Sequence, residues 1–314
     1  MTRFVVCGEA LIDLAPASDA ADTFSSTWHA QSAGGPMNTA VALGRLGADV
    51  HFLGRLSRDS FGAQLRGHIQ KSNVALDLSI ESSQSTSIAV VSLDSAGVAS
   101  YTFHFAGTAN FDWQPEDLPV LDADDWLHIA SLACVVRPGS EVLLDWTQTC
   151  RAGMSYDINV RPTVITDPKS YWEEVQPWLR VVGQHRGVVK ASDADVAFLA
   201  KSDGDDAEPV DVLAGWVEQY GLQIGVLTLG AGGALAVDPD GRRTAVPGFP
   251  AKVVDTVGAG DTFMAGFLDG YLGRGQDVEA SLARGAAAAS IVCSRHGADP
   301  PTVPEVESVL TSRS

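Results

Sequence analysis

The chain has 314 residues, 45% apolar and 19% charged, which is long enough for a large core in one domain or two. A formal charge of −18 argues against nucleic acid or an anionic membrane surface as the main partner. It leaves room for a single phosphate ligand, which needs local N–H donors rather than global positive charge.

From the N-terminus, "RFVVCGEALID" reads as a strand, and Glu9 and Asp13 interrupt its apolar run too early for a secretory signal. "PMNTAVALGRLG" reads as a helix, with Pro36 in its first turn and Gly47 as its terminator. "DVHFLGRL" is a second strand and "SFGAQLRGHIQKSN" a second helix. Further strands are expected at "DWLHIA", "MSYDIN", "GVVKAS" and "IGVLTL", with helical segments between most of them. This alternation predicts an α/β fold with a mostly parallel central sheet and helices on both faces.

Two regions break the rhythm. Phe24–Ser32 and Ser85–Phe105 read as strands without intervening helices, and "DSAG" makes the second a hairpin. Such strands form either a small separate sheet covering a site or extra edges of the main sheet. The preferred arrangement is a single domain, residues 1–314, with lid strands inserted at about 14–33 and 85–108. No segment approaches the roughly 20 apolar residues of a membrane span. Cys7, Cys134, Cys150 and Cys293 are scattered and read as reduced thiols, which places the protein in the cytoplasm.

The chemistry concentrates in "DTVGAGDTF" (Asp255–Phe263), a glycine turn that opens an apolar helix. The first turn of that helix leaves N–H groups around Gly258, Ala259, Gly260 and Asp261 without intrahelical partners, a ready seat for a phosphoryl oxygen. Asp261 either caps the helix or accepts a proton from a substrate hydroxyl. There is no GxxxxGK[ST] loop, and no GxGxxG follows the first strand, so neither a Walker-type site nor a dinucleotide dehydrogenase is indicated.

This stretch closely resembles the C-terminal signature of the PfkB, or ribokinase-like, family of carbohydrate kinases, and Ser32–Gly62 resembles the family's N-terminal signature. The resemblance covers nearly the whole chain and is greatest to bacterial fructokinases. It implies a ribokinase-like three-layer α/β/α domain with a small β lid, and transfer of the ATP γ-phosphoryl group to a sugar hydroxyl. Asp261 then corresponds to the catalytic base, and Gly258, Ala259 and Gly260 to the anion hole. Asp13, Gly34, Gly35, Asn38 and Arg161 correspond to sugar-site residues. Asn159, Ser192, Thr228, Gly230, Ala231 and Gly233 correspond to the ATP site.

The resemblance also implies magnesium, organised through water by Asp195, and potassium held by the carbonyls of Asp255 and Val257 beside Arg295–Gly297. The chain departs from the family in three places. Ile158 stands where "DPNxR" has proline, Ser192 and Asp195 replace an Asn-x-x-Glu element, and Gly285 replaces an asparagine near the purine. Ser192 is equally read as a plain helix cap.

In the lid, His104 and Phe105 stand where kinases of 2-keto-3-deoxygluconate place a carboxylate clamp, so a neutral sugar such as fructose is favoured. The same family offers 2-keto-3-deoxygluconate, ribose or a nucleoside as alternatives, and a catalytically weak sugar-binding regulator is the alternative from another class. Exposed lid edges invite a homodimer.

Overall fold

Alternate residues of the first strand serve two different cores. Val5 and Cys7 point into one apolar cluster and Phe4 and Val6 into another, so this strand is covered on both faces. The computed structural model describes residues 2–17, 24–93, 99–202 and 207–312. Its elements run β1 (Arg3–Cys7), β2 (Leu11–Pro16), β3 (Trp28–Ala33), α1 (Gly35–Arg45), β4 (Asp49–Leu53), β5 (Arg55–Ser57), α2 (Ser60–Lys71) and β6 (Ile80–Ser82). Next come β7 (Ile88–Leu93), β8 (Ala99–His104), β9 (Asp125–Ala130), α3 (Gly139–Thr147), β10 (Gly153–Asp157), α4 (Pro168–Gln184), β11 (Val188–Ser192) and α5 (Asp193–Ala200). The chain ends with α6 (Pro209–Tyr220), β12 (Ile224–Thr228), β13 (Ala234–Val237), β14 (Arg243–Val246), α7 (Ala259–Leu268), α8 (Val278–Val292) and α9 (Val303–Thr311).

The main sheet has the order β14-β13-β12-β11-β10-β9-β1-β4. From β4 to β12 its strands are parallel, and the β13–β14 hairpin adds an antiparallel edge. The core containing Val5 includes Leu143 of α3, Val175 of α4, Leu199 of α5 and Leu213 of α6. The core containing Phe4 includes Met37 and Val41 of α1, Phe263 and Phe267 of α7 and Leu282 of α8. This is the expected mostly parallel sheet between helical layers, accompanied by a separate small sheet in the order β3-β2-β7-β8.

Two expected strands are each divided. "RFVVCGEALID" breaks at Gly8, whose φ is +147°, and a side chain there would press on Pro36. The chain leaves the main sheet at this point and re-forms as β2 in the lid. "DVHFLGRL" divides at Gly54 into β4 and β5, and β5 pairs with β6 instead. The hairpin is present as β7 and β8, but its "DSAG" turn falls outside the described residues. Among the described residues no helix is long and apolar enough to cross a membrane.

Candidate active site

The strands β1, β9, β10, β11 and β12 deliver their C-terminal ends to one edge of the sheet, the usual binding edge of an open parallel sheet. The lid stands over part of that edge. Between them lies a cavity of about 470 Å³ lined by Asp13, Gly34, Gly35, Asn38, Asn159, Arg161 and the helix tip Gly258–Asp261. The two sequence signatures, at opposite ends of the chain, therefore meet in one place.

The tip of α7 is built by Gly258, which caps the helix in the left-handed conformation at φ 74°. Among the expected amides, that of Ala259 is already committed, donating to the Thr256 carbonyl at 3.2 Å. Ala259 nevertheless lines the cavity beside its neighbours. The amides of Gly258, Gly260 and Asp261 have no backbone acceptor among the described residues, and they carry the positive end of the helix dipole.

Asp261 is 6% exposed, and its Oδ2 accepts from Asn38 Nδ2 at 2.8 Å. Burial raises the pKa of its carboxyl, while Asn38, Lys190 and Arg161 pull it back. Asn38 thus faces the carboxylate as well as the cavity, and its own Oδ1 has no partner among the described residues.

Asp13, near the start of the second strand, is pushed up to about 6 by burial, with Arg161 working against the shift. Asn159 adopts φ 44°, a left-handed turn that asparagine tolerates, and its Oδ1 accepts from Arg161 Nη1 at 2.6 Å. The proline-to-isoleucine departure at Ile158 keeps an N–H that proline would lack; it donates to the Lys190 carbonyl at 3.0 Å.

Ser192 and Asp195 form a capping box at the start of α5. Both oxygens of Asp195 are occupied: Oδ2 by Ser192 N and Oγ at 2.8 and 2.7 Å, and Oδ1 by Val160 N at 2.8 Å. Asp195 therefore pins the loop that carries Asn159 and Arg161.

Thr228, Gly230, Ala231 and Gly233 lie outside the cavity. Thr228 is the register partner of Ser192, so this turn continues the same sheet edge one strand further out. Asp255 clasps two loops, accepting from Val257 N at 3.0 Å and Gly297 N at 2.9 Å.

Alternation along β8 corrects the expected lid face. His104 is exposed, while Tyr101 and Phe103 line the cavity. Their rings stack with centroids 6.2 Å apart, and Phe105 continues the row onto Phe111 at 5.3 Å. Arg161 is the only basic residue lining the cavity among the described residues.

Sequence reasoning missed two further features. Glu9, fully buried beside the cavity and pushed up by burial to about 7, accepts from Ala133 N at 3.1 Å. Lys190 and Asp157 pair beneath the α7 tip, 33 positions apart. An acid just after a strand and a lysine inside an apolar one were the only signals.

Comparison with known proteins agrees with this geometry. The pfkB family carbohydrate kinase profile matches residues 1–305. A fructokinase of Klebsiella pneumoniae is 32% identical, over 86% of this chain and 84% of its own. One from Rhizobium leguminosarum bv. trifolii is 36% identical, over 83% and 77%. The crystal structure of a Xylella fastidiosa fructokinase with bound ATP superposes with a TM-score of 0.83 at 25% identity, covering 99% of this chain and 98% of that one. A Vibrio cholerae O395 fructokinase variant, in its fructose, ADP and potassium ion bound form, gives 0.83 at 26% identity with the same coverage. By the profile match over residues 1–305 and by relatives at 32% and 36% identity, the chain belongs to the pfkB family of carbohydrate kinases.

Proposed function

We propose that this protein is an ATP-dependent fructokinase. The observation that carries the reading is the Asp261 carboxylate, oriented by Asn38 and set beside open helix-tip amides in a sugar-sized cavity. Phosphoryl transfer requires that pairing of a nucleophile's proton acceptor with a seat for the phosphate oxygens.

Asp13 would accept hydrogen bonds from sugar hydroxyls, and Tyr101 and Phe103 would cover the ring. A buried aspartate cannot strip a ground-state alcohol. It takes the proton as the O–P bond forms and the hydroxyl becomes acidic. Among the described residues the lid contributes no cation to the cavity, only the carboxylate of Asp13 beside Tyr101 and Phe103, which supports a neutral sugar over a sugar acid. The names of the 32% and 36% identical relatives support fructose in particular.

Nucleotide phosphates would extend from the α7 tip along the edge toward Ser192, Thr228 and the Gly230–Gly233 turn. Among the described residues no group of three or more His, Cys, Asp or Glu side chains could cage a metal. That donor set fits magnesium arriving on ATP and keeping most of its waters, with Asp195 reaching it only through water. The carbonyls of Asp255 and Val257, held against Gly297 by the Asp255 carboxylate, fit a monovalent cation.

A coupled assay with ATP, magnesium and a panel of fructose, ribose, 2-keto-3-deoxygluconate and adenosine tests the reading. Fructose should give the highest kcat/KM, and a clear preference for any other member would overturn the assignment.

A further inference from the structure

We infer that the buried Lys190–Asp157 pair is a positioning element of the phosphoryl-transfer site, with the Lys190 ammonium supplying positive charge behind the α7 amides. Lys190 and Asp157 are register partners near the ends of β11 and β10, exposed by 3% and 0%. Lys190 Nζ donates to both carboxylate oxygens, at 2.9 and 2.8 Å. Desolvating such a pair offsets most of its attraction, so stability alone is a weak reason to bury it.

Its location supplies a better reason. A Cβ on Gly260 would sit 3.1 Å from Lys190 Nζ, so the ammonium abuts the first turn of α7. A cation at a helix N-terminus opposes the helix dipole. The two positive ends become favourable together when an anion arrives in front of them, and a phosphoryl group at the Gly258, Gly260 and Asp261 amides is such an anion. Gly260 thereby has a specific task, because its missing side chain admits the ammonium.

The surrounding charges are consistent with this. From β9, His128 is fully buried and held neutral, its pKa lowered to about 3 by burial and by Lys190. Asp195 of α5 and Asp261 of α7 act on Asp157, while Arg161, from the loop after β10, and Glu9, from the β1–β2 junction, are coupled to Asp261. Burial holds Asp157 above the usual carboxylate range, and the ammonium works against that shift. Lys190 likewise draws Asp261 toward its ionised form.

The inference rests on the kinase reading but not on the identity of the sugar, so the assay uses whichever panel sugar the wild type phosphorylates fastest. Lys190→Met/Asp157→Asn replaces the pair with neutral groups of similar size and should fold, as should the apolar companion Lys190→Leu/Asp157→Leu. Loss of a preorganised positive charge predicts a fall in kcat of about 10²-fold. The sugar KM should change by less than about threefold.

A paired variant with near-normal kcat would overturn the inference. Carboxyl ¹³C NMR of Asp261 reads the same field without any sugar. Its titration should move to higher pH in the paired variants, and an unmoved titration is also fatal. A wild type inactive on every sugar would sink the proposed function and leave this titration to decide the inference.

Discussion

Asn38 Nδ2 donates to Asp261 Oδ2 at 2.8 Å across 223 positions of sequence, joining the first turns of α1 and α7. That hydrogen bond orients the carboxylate and favours its ionised form against burial. Asn38→Leu removes it, so the pKa of Asp261 rises and the acid limb of the kcat/KM profile moves to higher pH. At neutral pH we expect a loss of about 10-fold or more, within the usual range for a misoriented base. An acid limb that stays where it is in the variant would refute the orienting role.

Asp261→Asn keeps the shape and removes the base. The expected outcome is a kcat reduced by about 10²- to 10⁴-fold with sugar KM little changed. Isothermal titration with fructose separates this from a binding defect, because the variant should still bind.

Asp13 predicts a second pH effect. Its pKa stands raised, at about 6, so on acidification it protonates near that pH and loses acceptor capacity toward hydroxyls. Sugar KM should therefore climb below about pH 6, and Asp13→Asn should raise KM at all pH values and flatten that climb. KM measured from pH 5 to 8 in both proteins checks it.

Gly35 faces the cavity where a Cβ would lie 3.2 Å from Asn159 Nδ2 and 3.4 Å from Asp261 Oδ1. Its backbone requires no left-handed conformation, so Gly35→Ala should fold. The methyl group would occupy space meant for substrate, and a sugar KM at least about tenfold higher is expected, equivalent to about 1.4 kcal/mol. An unaltered KM would mean that the sugar lies elsewhere in the cavity.

Asp59 carries a prediction about stability. Burial alone would raise its pKa, but hydrogen bonds from Thr86 N, Gly62 N, Thr86 Oγ and Ser57 Oγ outweigh burial and leave it at about 2. The carboxylate caps α2 and fastens the root of β7 in the lid. Its folded-state pKa lies below the unfolded value, so its contribution is full above about pH 4 and disappears as pH falls toward 2. Allowing for solvent screening, that contribution is about 1 to 2 kcal/mol. Urea melts of Asp59→Ala should show this deficit at pH 7 and a smaller one at pH 3.

Much of this architecture could be read along the chain. Apolar runs of strand length alternating with helical periods announced the covered parallel sheet, and "VGAGD" announced a helix tip able to receive an anion, because both patterns live in contiguous residues. The breaks at Gly8 and Gly54 escaped notice, since an apolar run continues through each and only the crossing into another sheet separates the strands. The cap formed by Ser192 and Asp195 was visible in its spacing, whereas the reach of Asp195 to Val160 was not.

What one strand or one turn contains, the sequence by itself determined: the alternation of elements, the α7 tip and the presence of a carboxylate in its first turn. The tertiary structure alone decided that Asn38 orients Asp261, that Lys190 lies behind Gly260, and that Tyr101 and Phe103 rather than His104 face the cavity. Those relationships depend on register between strands and on which C-terminal ends share an edge. A shift of one residue would turn each of these strand side chains to the opposite face.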